Sequence, residues 1–363
     1  MKEIKIGIVG SGFIADVHAR SFLEVPGARV AAHCDVDTQR GRDFAARQRI
    51  ERSFADYSSM LADGGVDAVV LGVPNCLHAE MALEAARAGK HVIVEKPLCL
   101  RLEEADQMIA TCREAGVLLC YAEELCFCPK YVRAKEIADE GAIGKVYRVK
   151  QEEKHAGPYS QWFFEPEAAG GGILMDMGCH SIEFARWALG KPAVKAVTCF
   201  MDTVLHGERG PLEDDVVMLL EFDGGQTALL ESSWALLGGM ESVTSLLGTA
   251  GVIHADLLRG QGLKVFSAQG YGDYKPAAQG WTFPDYEWLF NNGYPQEDRH
   301  FVECMRDGSQ PSESGEDGKA VLEIMLACYA SAAEGRRIEL PYVPPDDIGV
   351  PVEIWLRARG RAG

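Results

Sequence analysis

The chain has 363 residues, of which 47% are hydrophobic and 25% charged, a globular composition at a length that usually divides into about two domains. Lys and Arg number 36 against 54 Asp and Glu, and the resulting formal charge of −18 argues against nucleic acid and anionic membrane surfaces as partners. No run approaches membrane-spanning length, and MKEIKIGIVG leads directly into an apolar strand without a signal core, so a cytoplasmic location is expected.

Eleven cysteines are scattered from Cys34 to Cys328, odd in number and without CxxC or Cys/His metal spacing. That distribution predicts reduced thiols and no metal site. Cys126 and Cys128, the one close pair, read as small, semi-buried fillers.

The first part alternates short β-rich runs with helical patterns. Strands are predicted at Ile4 to Val9, Arg29 to Cys34, Ala68 to Val73, His91 to Val94 and Val117 to Tyr121. Helices are predicted between them at Ile14 to Leu23, Thr38 to Arg49, Ala79 to Ala88 and Leu102 to Ala115. Apolar strands joined by helices imply an α/β fold with a parallel, doubly wound Rossmann sheet, because right-handed crossovers cover both faces. Beyond Pro129 the runs lengthen: Lys145 to Lys154, Val194 to Thr203, Val216 to Phe222, Thr227 to Trp234, Ser242 to Leu247 and Leu263 to Ser267. Turn signals at Asp223-Gly224-Gly225 and Gly248-Thr249-Ala250-Gly251 predict a large, mostly antiparallel sheet in an α+β domain. Helices at Gly172 to Leu189 and Gly315 to Glu334 should cover one face of it. Three parts are thus expected: 1–124 for the dinucleotide domain, 125–340 for a substrate and oligomerisation domain, and 341–363, rich in proline, as an extended arm. A one-sided sheet also favours a homo-oligomer.

Gly10-Ser11-Gly12-Phe13-Ile14-Ala15 sits between the first strand and the first helix. Glycines there permit a tight turn and close approach to a pyrophosphate, which the helix N-terminus stabilises. Asp35, at the end of the second strand, is placed to accept hydrogen bonds from the adenosine ribose and to repel a 2′-phosphate. The pattern favours NAD over NADP, a preference softened by the nearby Arg40.

Two further patterns carry chemistry. Lys96, in Glu95-Lys96-Pro97, follows the His91 to Val94 strand at the carboxyl edge of the sheet, where open α/β folds place ligands and a lysine can lower the pKa of a substrate hydroxyl. Asp176 and His180 lie four apart after Gly170-Gly171-Gly172, on one helical face that continues to Glu183 and Trp187. A carboxylate-oriented imidazole suits proton abstraction from an alcohol. Gly178 between them lowers helix stability by roughly 1 kcal/mol, which suggests close approach of a backbone or a cofactor ring. Read alone, Lys96 also fits a solvated turn and Asp176/His180 a surface pair.

Taken in order, the GxGxxA turn, Val73-Pro74-Asn75 with His78, Glu95-Lys96-Pro97 and the GGGxxxDxGxHxxE stretch resemble the Gfo/Idh/MocA family, which includes glucose-fructose oxidoreductase and inositol dehydrogenases. The resemblance implies that Lys96, His180 and Asp176 are catalytic, the histidine as proton acceptor. It also implies that Pro74, Asn75, His78, Glu95 and Lys96 join Gly10, Gly12, Phe13, Ile14, Ala15 and Asp35 in binding NAD. His18 recurs in the family but reads as a packed helix residue. Where many relatives carry N-x-R-F-x-P, this chain has Glu124-Leu125-Cys126-Phe127-Cys128-Pro129, preceded by Glu123. The lost cation favours a neutral polyol, sugar or glycoside over an anionic substrate. Lys154, His155, Tyr159, Trp162 and Trp234 are candidates for lining the sugar pocket, the two tryptophans being equally readable as core. Glu153-Lys154-His155 with Trp162 resembles bacterial enzymes that oxidise the C3 hydroxyl of glucosides. The implied function is hydride transfer between a carbinol carbon and NAD. The alternatives are an inositol or free-sugar dehydrogenase, an NAD-dependent glycoside hydrolase passing through a 3-keto intermediate, and a non-catalytic sensor.

Overall fold

The computed structural model describes residues 3–258, 265–267, 280–282 and 288–360. In chain order the first elements are β1 (Ile4–Val9), α1 (Phe13–Ser21), β2 (Ala28–Cys34), α2 (Thr38–Gln48), β3 (Arg52–Phe54), α3 (Tyr57–Asp63), β4 (Ala68–Leu71), α4 (His78–Arg87), β5 (His91–Glu95), α5 (Leu102–Ala115) and β6 (Leu119–Ala122). There follow α6 (Pro129–Asp139), β7 (Val146–Lys154), α7 (Pro166–Ala169), α8 (Cys179–Ala188), β8 (Val194–Asp202), β9 (Asp215–Phe222), β10 (Thr227–Ser233), β11 (Glu241–Gly248) and β12 (Gly251–Asp256). The last are β13 (Val265–Ser267), β14 (Gly280–Thr282), α9 (Trp288–Asn291), α10 (Tyr294–Asp307), α11 (Gly315–Glu334), β15 (Ile338–Glu339) and α12 (Glu353–Ala358).

The chain forms two compact units, one of residues 1–127 with 293–322 and one of residues 128–292 with 323–363. The first holds a six-stranded, wholly parallel sheet in the order β3-β2-β1-β4-β5-β6. Ile6, Ile8, Val70 and Ile93 are fully buried in it, as strands covered on both faces require. Helix α10 closes this core with Phe301, Val302 and Met305. That segment follows the second unit's strands in sequence, and no local pattern announces its return to the first.

The second unit is built on a seven-stranded sheet in the order β12-β11-β7-β10-β9-β8-β15. Only the β7–β10 pairing is parallel, so the sheet is mixed and mostly antiparallel. Alternation is clean on β9, where Val216, Met218, Leu220 and Phe222 are buried. Leu263, the start of the last predicted strand, lies outside the described residues, and β13 begins at Val265.

Three local differences from the sequence reading have plain causes. The helix expected over Gly172 to Leu189 opens with a π-helical turn, Leu174–Gly178, before α8 begins. Helices α6 and α10, which the sequence reading did not predict, carry prolines in their first turns, where the missing N–H breaks no helical bond. The tail is extended only in part: after Pro351 the chain forms α12, whose Trp355 and Leu356 are buried. Among the described residues no disulfide joins any of the eleven cysteines, and no helix is long and apolar enough to cross a membrane.

Candidate active site

In the first unit, the turn between β1 and α1 is shaped by two glycines for different reasons. Gly10 has φ +97°, and a Cβ there would lie 2.3 Å from the Gly72 carbonyl oxygen, so only glycine fits. At Gly12 a Cβ would meet nothing within 4 Å, which leaves open space at the start of α1. Phe13 is exposed beside it, whereas Ala15 is buried against the sheet and Ile14 lies partly between. Behind the turn, His33 Nε2 lies 3.0 Å from the Gly10 carbonyl and 3.1 Å from Ser11 Oγ, with its ring stacked on Phe44 at 4.6 Å. Asp35 ends this strand. Its carboxylate accepts from Arg40 Nη2 at 2.9 Å and Nε at 3.1 Å, and from the Asp37 backbone N–H at 2.9 Å. Burial raises the pKa of Asp35, but the bonds from Arg40 and Ser11 outweigh it and hold the group below the usual carboxylate value. A glycine turn with open space at Gly12, a helix N-terminus and an acid one strand away fit the pyrophosphate and ribose of a dinucleotide.

Further along the same carboxyl edge, Pro74 and the buried Asn75 follow β4, Glu95 ends β5, and Lys96 and Pro97 follow it. Two predicted cofactor contacts prove to be committed within the protein. His78 is fully buried, with Nδ1 2.8 Å from the Pro97 carbonyl and Nε2 3.0 Å from the Val73 carbonyl, so it ties the two loops together. Glu95 is 5% exposed and takes His18 Nε2 on Oε1 at 2.9 Å and the Lys96 backbone N–H on Oε2 at 3.1 Å. Lys96, partly exposed, is the residue this arrangement presents.

The second unit contains the other candidate groups. The triple glycine is dictated by packing: a Cβ on Gly171 would lie 1.8 Å from the Tyr329 hydroxyl, and one on Gly172 would lie 1.9 Å from the Glu213 carbonyl. Glu213, fully buried, binds this loop through Oε1, which accepts from Gly172 N–H (2.9 Å), Leu174 N–H (3.2 Å) and the Tyr329 hydroxyl (2.7 Å). Burial pushes the Glu213 pKa up to about 7 despite those donors. At Gly178 a Cβ would meet Leu174 Cδ1 at 2.7 Å, within its own turn.

From the π-helical turn Asp176 projects onto two donors. Trp234 Nε1 donates to its Oδ2 at 2.9 Å, and His155 Nε2 lies 3.3 Å from the same oxygen. The Gly157 backbone N–H donates to His155 Nδ1 at 3.1 Å, which leaves the ring proton on Nε2, pointing at the carboxylate. His180, 3% exposed, stands in the first turn of α8. Of the predicted pocket residues, Trp234 is wholly buried beside Phe164 at 5.4 Å, with its indole N–H on Asp176 and no ring face open for stacking. Tyr159 is exposed and Trp162 half-buried, its ring on Phe163 at 3.9 Å. Lys154 is held by Glu152 and Glu231 at 2.9 and 2.7 Å. Glu183 is buried in ion pairs with Arg186 and, at 3.3 Å, with Lys191.

Sequence reasoning missed His33, Ser11, Glu213 and Tyr329. Ser11 sits inside the glycine motif at a position the pattern leaves open, and the other three belong to no motif. His33 alone gave a signal, as a polar residue inside an otherwise apolar strand.

A parallel sheet with a glycine cradle, an acid on the next strand and a lysine on the same edge defines a dinucleotide-dependent oxidoreductase. The family model described as "Oxidoreductase family, NAD-binding Rossmann fold" matches residues 4–123, and that described as "GFO/IDH/MocA C-terminal domain" matches residues 131–254. The chain belongs to the Gfo/Idh/MocA family of oxidoreductases, and NAD is its cofactor. The crystal structure of GenD2 from gentamicin A biosynthesis in complex with NAD is similar at a TM-score of 0.88 and 36% identity, covering 94% of this chain and 97% of that one. The scyllo-inositol 2-dehydrogenase (NAD(+)) of Bacillus subtilis strain 168 is 29% identical over 341 residues, covering 93% of this chain and 96% of its own. Levoglucosan dehydrogenase in complex with NADH and L-sorbose matches at a TM-score of 0.81 and 26% identity, over 94% of this chain and 100% of that one.

Proposed function

We propose that the protein oxidises a secondary alcohol of a neutral sugar, glycoside or cyclitol, with the C3 hydroxyl of a glycoside as the favoured position. The observation that carries this reading is that Lys96 and the Gly10–Gly12 cradle stand at one carboxyl edge of the six-stranded sheet. When bound, NAD supplies a hydride acceptor. Lys96 stabilises the alkoxide as it develops, a charge that appears on oxygen only near the transition state. His180 takes the hydroxyl proton. Asp176, fixed by Trp234 and His155, orients the substrate and the histidine. Cys126 in place of a cation, with Glu123 and Glu124 added beside it, favours an uncharged substrate, and relatives named for scyllo-inositol, D-apiose and levoglucosan support this class. Exposed Phe200 and Leu219 on the second sheet suit burial in a homo-oligomer.

The test is NADH formation across inositols, free hexoses and glucosides, with the ketone position assigned in the product. NADH with a 3-ketoglucoside is the expected result. No NADH from any of these alcohols overturns the reading, and aglycone release without net NADH transfers the chain to glycoside hydrolysis.

A further inference from the structure

Helix α1 contains a histidine with no access to solvent and two acidic neighbours. His18 is 0% exposed. Its Nδ1 lies 3.1 Å from Asp298 Oδ1 and 3.3 Å from Oδ2, and its Nε2 lies 2.9 Å from Glu95 Oε1. All three residues belong to the first unit, on α1, α10 and β5. Phe22 stacks near the imidazole at 6.4 Å and Tyr294 meets it edge-on at 5.9 Å, so the surroundings are apolar apart from the acids.

An ionised carboxylate only accepts hydrogen bonds, so an imidazole lying between two of them satisfies both by carrying a proton on each nitrogen. A neutral ring would leave one nitrogen lone pair facing a buried carboxylate oxygen, which is repulsive. Burial disfavours the cation, but Asp298 and Glu95 outweigh it, and the His18 pKa stands well above the ordinary value. Glu297 also faces this cluster, with neither carboxylate oxygen hydrogen-bonded among the described residues, and burial raises its pKa well above normal. Glu124 is the remaining charged group that influences Glu297. The hydrogen-bonded chain therefore runs from Asp298 through a doubly protonated His18 to Glu95. Its last member is occupied on the far side by the Lys96 backbone N–H at 3.1 Å.

We infer that Asp298 and His18 are positioning residues that hold Glu95, and through it the Lys96 backbone, so that the lysine ammonium is presented in one place. Nothing in this chain touches the reacting atoms. It stops Glu95 from turning away and releasing the peptide that carries Lys96. The inference rests on the role proposed for Lys96.

The test combines kinetics with a measurement that needs no substrate. In the full-length protein, His18→Gln should lower kcat about 100-fold while the Kd for NAD changes less than threefold. Because His18 acts through Glu95, the double variant His18→Gln/Glu95→Gln should be no slower than the slower single variant. Multiplicative losses, or a His18→Gln kcat within threefold of wild type, overturn the inference. Nitrogen-15 histidine NMR of the wild-type protein should show one ring with both nitrogens protonated at pH values where the other histidines are neutral. Absence of such a ring overturns it independently, even where the variants do not fold. A wild-type protein that oxidises no alcohol refutes the proposed function, and the NMR result then decides the His18 assignment alone.

Discussion

The indole N–H of Trp234 donates to Asp176 Oδ2 over 2.9 Å, with both side chains buried. A residue readable as either a sugar platform or core is therefore a fixed donor to the acid of the proposed site. Trp234→Phe keeps most of the packing and removes only that donor. We expect kcat to fall about 10- to 100-fold with the NAD Kd unchanged, since small misplacements of an orienting group cost on this scale. Steady-state kinetics with a parallel NAD titration checks it, and an unaltered kcat would detach Trp234 from the reaction.

Lys96→Met tests the proposed chemistry most directly. The substitution removes the ammonium and leaves the backbone N–H that Glu95 holds. Turnover should drop by about 10³-fold, the range seen when a group stabilising a developing oxyanion is lost. NAD binding, followed by fluorescence titration, should stay within a few-fold of wild type.

Asp35 and Arg40 form a fork at 2.9 and 3.1 Å in which the acid decides the ribose end. Asp35→Ala releases the guanidinium, which then meets a 2′-phosphate without a competing carboxylate. The ratio of kcat/KM for NADP to that for NAD should rise by about tenfold or more. Measuring both cofactors at saturating alcohol settles the point, and an unchanged ratio removes Asp35 from cofactor selection.

Glu213 predicts a pH effect on stability whose sign follows from its raised pKa. The folded value is about 7 against an ordinary 4.5, so the folded state holds a proton that the unfolded state releases in that interval. Its contribution is present in full below 4.5 and declines as pH rises through about 7. The total is on the order of 3 kcal/mol. Glu213→Gln keeps an acceptor for Gly172, Leu174 and Tyr329 but cannot ionise. Relative to wild type, its unfolding free energy in urea should improve steadily across that window, and a constant difference would contradict the assignment.

Gly172 offers a purely steric test. Its substitution by alanine places a methyl 1.9 Å from the Glu213 carbonyl oxygen, a backbone atom that cannot swing aside. We expect a loss of about 1–3 kcal/mol in unfolding free energy, with activity reduced through the displaced Asp176 turn. Thermal denaturation and kinetics of the same preparation measure both.

The Rossmann unit was readable because its signals are local. Apolar runs such as Ile4 to Val9 and the glycine turn after them declare themselves within a dozen residues, as does Asp35 at the end of the next strand. The triple glycine and the Asp176/His180 spacing were visible in the same way, although the π-helical turn was not, since one inserted residue leaves the apolar pattern nearly intact. What escaped were partnerships between distant positions. His18 and Asp298 are 280 residues apart, and α10 joins the first unit's core only after the second unit's strands have intervened. For His78 and Glu95, motif position records where a residue stands. It does not record which neighbour has already claimed its polar atoms.

The Val352 N–H donates to the Gly170 carbonyl at 2.9 Å, and Val352 is fully buried. The loop ahead of Asp176 is thus latched by a residue that the ribosome adds about 180 positions later. During synthesis the loop must wait unlatched for that last stretch to emerge, so a stalled product, or one clipped before Val352, carries the motif yet lacks its fastening.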